Sequence, residues 1–247
     1  MNDVRVAVPV RANLRAGRHA SYGFCIEADL GHKPMRYLFG RRFTGGGGEG
    51  VAQTALFVME PEVLSGTYVW ITEDPFERTC QVQTYLPTMK KPIQVLERLV
   101  FDCLPLTDVG YIDLMAWAHP ALEPIDPDGE RGLVPIRPRR TELKRYEGPA
   151  TVPGLHITES VTVGDGIVVS RLVHRGARQI RRWEVVEFGD AAEDRLPKRI
   201  KVSRPDSGHQ SGFVRSTEAV PIPPTAFDGS PEQLREVMER RLGTRRG

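Results

Sequence analysis

The stretch SYGFCIEADLGHKPMRYLFGRRF, residues 21–43, carries two alternating runs separated by Gly31-His32. From Ser21 to Leu30 the even positions are apolar (Tyr22, Phe24, Ile26, Ala28 and Leu30), with Glu27 and Asp29 between them. From Lys33 to Phe43 the odd positions take over, at Met35, Tyr37, Phe39 and Phe43. A two-residue turn with Gly first suits a type II′ hairpin, and it sets the register. Ala28 then faces Met35, Ile26 faces Tyr37 and Phe24 faces Phe39, so one side of the hairpin is apolar. The stretch predicts antiparallel β structure with that side turned to a core.

Strand-like runs continue on both sides of the middle of the chain. They cover Val51 to Met59, Gly66 to Thr72, Arg78 to Leu86 (closed by Pro87) and Pro92 to Leu96. Val100 to Trp117 has no clean alternation, and Tyr111 to Trp117 is expected as a short helix capped by Asp108. Residues 119–140 are Pro-rich and acidic and read as a long excursion rather than a second core. Alternation returns strictly from Leu155 to Val163, with Glu159 on the side of Leu155, Ile157 and Val161. Gly164-Asp165-Gly166 turns the chain into Ile167 to His174. A three-residue loop there places Val161 opposite Val169 and Glu159 opposite Arg171. Further runs are Gln179 to Phe188, Lys198 to Ser203 and Gly208 to Val220, ended by Pro221, Pro223 and Pro224. Ser230 caps a final helix, Pro231 to Arg241, with Pro at its first turn. The count is about ten or eleven strands and two short helices, with no internal repeat.

Composition agrees with that reading. The 247 residues contain 24 glycines and 20 prolines, where average usage would give about 30 of the two together. The surplus fits many turns between short strands. Lys and Arg number 34 against 32 Asp and Glu, a formal charge of +2. That lacks the basic excess of a protein whose main partner is nucleic acid. A length near 250 residues fits one large all-β domain or two small ones, and one domain over residues 1–247 is expected, with 1–20 an N-terminal extension or edge strand. Cys25, Cys80 and Cys103 have no metal spacing and cannot all pair, which points to a reducing compartment. The N-terminal MNDVRVAVPVRANLRAG has no apolar h-region, and no run approaches a membrane span. The expectation is a cytoplasmic protein, or a periplasmic or secreted one if a leader has been removed.

The chemistry-bearing motifs are few. Gly45-Gly46-Gly47-Gly48-Glu49-Gly50 is followed by Val51-Ala52 instead of Lys and Ser or Thr, so it reads as a flexible loop, not a phosphate cradle. Asp126-Pro127-Asp128-Gly129-Glu130 lacks the closing Glu of a calcium loop. Six scattered histidines have no ligand spacing, and neither a metal nor a cofactor is expected. Nucleophile elbows and dinucleotide fingerprints do not occur. Two charges opposite each other on an apolar face, Glu159 and Arg171, must satisfy each other or meet water. They are either a pair at a sheet rim or a polar contact inside a cavity. Phe57, Trp70, Tyr85, Met89, Met115 and Trp117 are candidates to line that cavity, and the same side chains would otherwise be core. Basic clusters at 137–145 and at Arg175, Arg178, Arg181 and Arg182 are either solvated faces or contacts for an anionic headgroup or acidic partner.

Several short segments carry a resemblance. Tyr85-Leu86-Pro87-Thr88-Met89-Lys90-Lys91 resembles the strand ending in Leu-Pro, followed by basic residues, of the outer-membrane lipoprotein-sorting (LolA-like) family. Asp108-Val109-Gly110-Tyr111-Ile112-Asp113-Leu114 is similar to its Tyr-x-Asp-Leu segment. Pro224-Thr225-Ala226-Phe227-Asp228 followed by Leu234 is similar to its C-terminal part. The resemblance implies an incomplete, strongly curved antiparallel β-barrel with a short mid-chain helix and a C-terminal helix. It implies a hydrophobic small molecule, lipid or acyl chain as ligand, with no catalytic residue to carry over. Two features depart from the family pattern, the missing signal peptide and the missing long amphipathic helix before the first strand. The alternative reading is an enzyme, a cytosolic cyclase or isomerase that folds an apolar substrate, with Asp113 or Glu159 as acid.

Overall fold

The computed structural model describes residues 14, 19–31, 34–45, 50–104, 107–125, 133–136, 139–162, 167–189 and 196–244. The N-terminal half holds β1 (Ser21–Asp29), β2 (Pro34–Phe43), β3 (Ala52–Glu60), β4 (Tyr68–Asp74), β5 (Thr79–Tyr85) and β6 (Ile93–Gln94). Then come α1 (Tyr111–Leu114), β7 (Glu123–Pro124), β8 (Leu133–Ile136) and β9 (Arg139–Glu147). The rest is β10 (Leu155–Thr162), β11 (Val168–Arg175), β12 (Arg178–Phe188), β13 (Pro197–Arg204), β14 (His209–Arg215), β15 (Val220–Pro221) and α2 (Pro231–Leu242).

These strands form one antiparallel sheet in the order β6-β5-β4-β3-β2-β1-β14-β13-β12-β11-β10-β9-β7. It is two meanders joined edge to edge, curved but not closed into a barrel. The joint is β1, which pairs β14 through Ile26 to Asp29 and β15 through Tyr22 and Gly23. Between those contacts the Cys25 N–H donates to Thr217 Oγ1 at 2.9 Å, so the strand stays satisfied where its partner changes.

The first hairpin has the register that its turn predicts: Ala28 opposite Met35, Ile26 opposite Tyr37, Phe24 opposite Phe39. Gly31 takes φ 81°, a conformation open to glycine at little cost. Side-chain parity then propagates across neighbouring strands. Phe24, Phe39, Leu56, Val69, Ile71 and Val82 turn to the inner face, with Trp183, Val202 and Phe213 from the second meander. The opposite parity (Cys25, Leu38, Ala55, Phe57, Tyr68) turns outward and packs against Ile222, Phe227, Leu234 and Met238.

The helix α2 begins where expected. Ser230 accepts from the Gln233 N–H at 3.3 Å, and Gln233 Oε1 accepts from the Ser230 N–H at 2.9 Å. Leu234 and Met238, one turn apart, are fully buried against β1 and β2. Gly23 and Gly40 are cross-strand partners at that spot. A Cβ on Gly40 would lie 2.9 Å from Met238 Sδ, so the two glycines form a notch for the methionine.

Four expectations need correction. The mid-chain helix is one turn, Tyr111–Leu114, capped by Gly110 rather than Asp108. Residues 119–140 hold three short pieces of strand: β7 and β8, which both pair with β9, and the start of β9, because backbone pairing needs no apolar alternation. The strands among the described residues exceed ten or eleven, since two-residue pieces escape any periodicity. A bulge at Ser160/Val161 pairs Val161 with Val168 rather than Val169, without disturbing Glu159 opposite Arg171. Residues 46–49 of the glycine-rich stretch, Asp126–Glu130 and Gly164–Gly166 lie outside the described residues.

Candidate functional site

The inner face of the sheet carries charged side chains among its apolar ones, and they converge on one stretch of backbone, residues 108–117. Glu159 and Arg171 sit opposite each other on β10 and β11. Arg171 Nε donates to Glu159 Oε1 at 2.8 Å. Its Nη1 donates to Asp113 Oδ1 at 2.6 Å and to the Ile112 carbonyl at 2.8 Å. All three residues are buried. Burial pulls the Arg171 guanidinium down, and the Glu159 and Asp113 carboxylates more than offset this, so its pKa moves upward. The guanidinium also lies over the Trp183 ring, 6.0 Å from its centroid.

Three further groups grip the same segment. Arg41 Nη2 donates to the Leu114 carbonyl, while its Nε donates to Thr54 Oγ1 at 2.9 Å. Glu73, on β4, accepts from the Ala116 and Trp117 N–H groups, both at 2.9 Å. Asp108 is held from β14 by His209 Nδ1 at 2.5 Å and by the Ser211 hydroxyl. Asp113 closes the turn on itself by accepting from the Gly110 N–H at 2.8 Å. Residues 108–117 thus form a clamped segment across the inner face. Its short length explains the charges: a one-turn helix cannot satisfy its own terminal N–H and C=O groups, and buried sheet side chains do so instead.

Beside this segment lies an apolar cleft of about 50 Å³. Phe24, Ile26, Phe39, Leu114, Trp183 and Phe213 line it, with Asp113, Lys198 and Arg215 as its charged lining. Pockets for drug-sized ligands run to roughly 300–1,000 Å³, so the cleft is nearly filled while the segment is in place.

The residues expected at the site divide between the two faces. Met115 and Trp117 are buried in the inner cluster, and Trp117 Nε1 donates to the Gly50 carbonyl at 3.1 Å. Glu159, Arg171 and Asp113 meet there as described. Phe57, Trp70 and Tyr85 are on the outer face with α2, where Trp70 tilts against Phe227 at 6.1 Å. Met89 is half-buried just beyond β5. The six lining candidates therefore do not share one cavity. Strand parity puts 57, 70 and 85 on the side away from Phe24 and Phe39. Arg41 and Glu73 escaped sequence reading, although Arg41 interrupts the apolar series Met35, Tyr37, Phe39, Phe43. That interruption was the available signal.

A single curved antiparallel sheet, open at its edges, with an α-helix on the outer face and a short clamped segment on the inner one, is a LolA-like fold. A domain named as an outer-membrane lipoprotein-sorting protein from Vibrio parahaemolyticus is similar over 90% of this chain and 92% of its own, with TM-score 0.66 and 8% identity. A DUF1329 family protein from Desulfovibrio piger is similar over 84% and 91%, with TM-score 0.63 and 12% identity. A LolA superfamily protein from Nitrosomonas europaea is similar over 80% and 83%, with TM-score 0.52 and 15% identity. No protein-family model matches the sequence, and no curated protein does.

Proposed function

We propose that this protein binds a hydrophobic small molecule, lipid or acyl chain on the inner face of the sheet, under residues 108–117. The observation that carries the reading is the cover of that face. It is a thin segment held by side-chain hydrogen bonds, beside an apolar cleft, where a second packed layer would otherwise stand. The fold shared with a domain named for lipoprotein sorting supports the same chemistry, since lipoproteins carry acyl chains. Displacing the segment would expose a groove walled by Phe24, Phe39, Trp183 and Phe213. A ligand with ten buried methylenes would gain about 8 kcal/mol, against charge-assisted hydrogen bonds worth about 1.5–3 kcal/mol each. The two quantities are comparable, which is what reversible loading requires. Asp113 and Glu159 are both engaged by Arg171, an arrangement suited to clamping rather than to proton transfer.

The test is titration with cis-parinaric acid, a fluorescent fatty acid. Saturable binding is expected, and Ile26→Glu in the half-buried wall of the cleft should abolish it. Val186→Glu, at an exposed outer position, should leave it intact. No saturable binding, or equal binding by the Ile26 variant, would refute the reading.

A further inference from the structure

A second opening, about 450 Å³, lies where β11, β12 and β13 meet the chain at Phe101–Cys103. It shares no lining residue with the apolar cleft. Four arginines (Arg175, Arg178, Arg181 and Arg204) line it against two aspartates, Asp102 and Asp206. Arg178 lies 3.2 Å from Asp206, a largely exposed pair of little worth, and the exposed Arg204 lies 3.8 Å from the buried Asp108.

Arg181 is different. It is 3% exposed, yet its Nε and Nη2 have no hydrogen-bond partner. Nη2 lies 3.4 Å from Asp113 Oδ2, an ion pair without a hydrogen bond, and Nη1 reaches Cys103 Sγ at 3.6 Å. A buried guanidinium with unmade hydrogen bonds is costly, and the fold makes room for this one. A Cβ on Gly110 would stand 2.2 Å from Nη1, so only glycine leaves space for it. A bulge between β11 and β12 at Val173/His174 re-aims the strand, so that successive residues Ile180 and Arg181 both line the opening.

We propose that this opening binds an oxyanion of the phosphate class, its oxygens held by the exposed guanidinium groups of Arg175, Arg178 and Arg204 above the buried charge of Arg181. Guanidinium forks match tetrahedral oxyanions with several hydrogen bonds at once. Free phosphate and the phosphate of a lipid headgroup present the same oxygens.

Isothermal titration of the full chain with inorganic phosphate tests the site, and vesicles of phosphatidylglycerol in phosphatidylcholine form the second arm. Saturable phosphate binding is expected, weakened by about tenfold or more in Arg181→Met. The double variant Arg175→Ser/Arg178→Ser changes exposed side chains only, and the same loss is expected there. Arg182→Ser, on the opposite face and paired with Glu184 at 2.7 Å, should leave affinity unchanged. Competition between vesicles and phosphate identifies a headgroup as the source, and its absence identifies the free ion. Vesicle binding without phosphate binding supports the site only if the double variant loses it. The proposal is overturned if neither probe binds up to about 10 mM. It is equally overturned if Arg182→Ser weakens binding as much as the double variant does.

Discussion

Arg171 has almost no contact with water, so protein groups alone settle its charge. Its partners arrive from two distances in sequence. Glu159 comes through a hairpin whose loop length sets the register, and that half of the network was legible from spacing. Asp113 comes from a segment 58 residues away, which no local pattern connects to β11. Removing the cation leaves two buried carboxylates facing each other. Arg171→Met is expected to cost about 3–5 kcal/mol in chemical denaturation, and a loss under 1 kcal/mol would mean that water reaches the pair. A pH response is built in nearby. Burial pushes the His119 imidazole down to about 4, and its Nδ1 accepts from the Ala121 N–H at 3.1 Å. Between pH 6.5 and about 4 the unfolded chain binds a proton that the folded chain refuses. Stability therefore falls as the pH drops through that window, by about 3 kcal/mol at its lower end. His119→Asn should flatten the urea midpoint over the same range; an unchanged slope would assign the loss to other groups.

At the scale of elements, legibility follows how each segment earns its structure. The first hairpin and α2 were readable because turn and cap residues agree with periodicity: Gly31 at the turn, Ser230, Pro231 and Gln233 at the cap. The strand β9 was not, since Arg139–Glu147 is dense in charge and is strand only because β10 pairs with it. Strand parity carries the division of the aromatics: once Phe24 and Phe39 face inward, Phe57, Trp70 and Tyr85 must face outward through successive pairings. Helix α2 covers those aromatics and is expected to owe its stability to docking, with Leu234 and Met238 as its anchors. Leu234→Ala should cost about 2–5 kcal/mol. Far-UV circular dichroism should show the helix melting with the sheet; a helix that outlasts the sheet would contradict docking as its source.

Across the whole molecule, the three tryptophans sample three layers. Trp70 reports the outer face, Trp117 the clamped segment and Trp183 the inner core. Single-tryptophan variants should unfold with coincident urea midpoints, because both meanders share one inner core. Addition of an acyl probe in native buffer should shift Trp117 and Trp183 emission and leave Trp70 unchanged. A shift confined to Trp70 would move the ligand to the other face. Sheet topology at this scale was hidden from sequence reading, since the pairing of β1 with β14 joins residues almost 190 positions apart.

That seam also dictates an order of events on the ribosome. The N-terminal meander is complete once β5 and β6 have emerged, yet β1 then offers an unpaired edge of N–H and C=O groups. Its mates, β14 and β15, are among the last strands made. Until they arrive the nascent chain carries a template for pairing with its neighbours. A chain stopped at Gly208 is expected to self-associate through β1, detectable as dimers and larger species by light scattering. Adding back a synthetic peptide of residues 209–222 should disperse them.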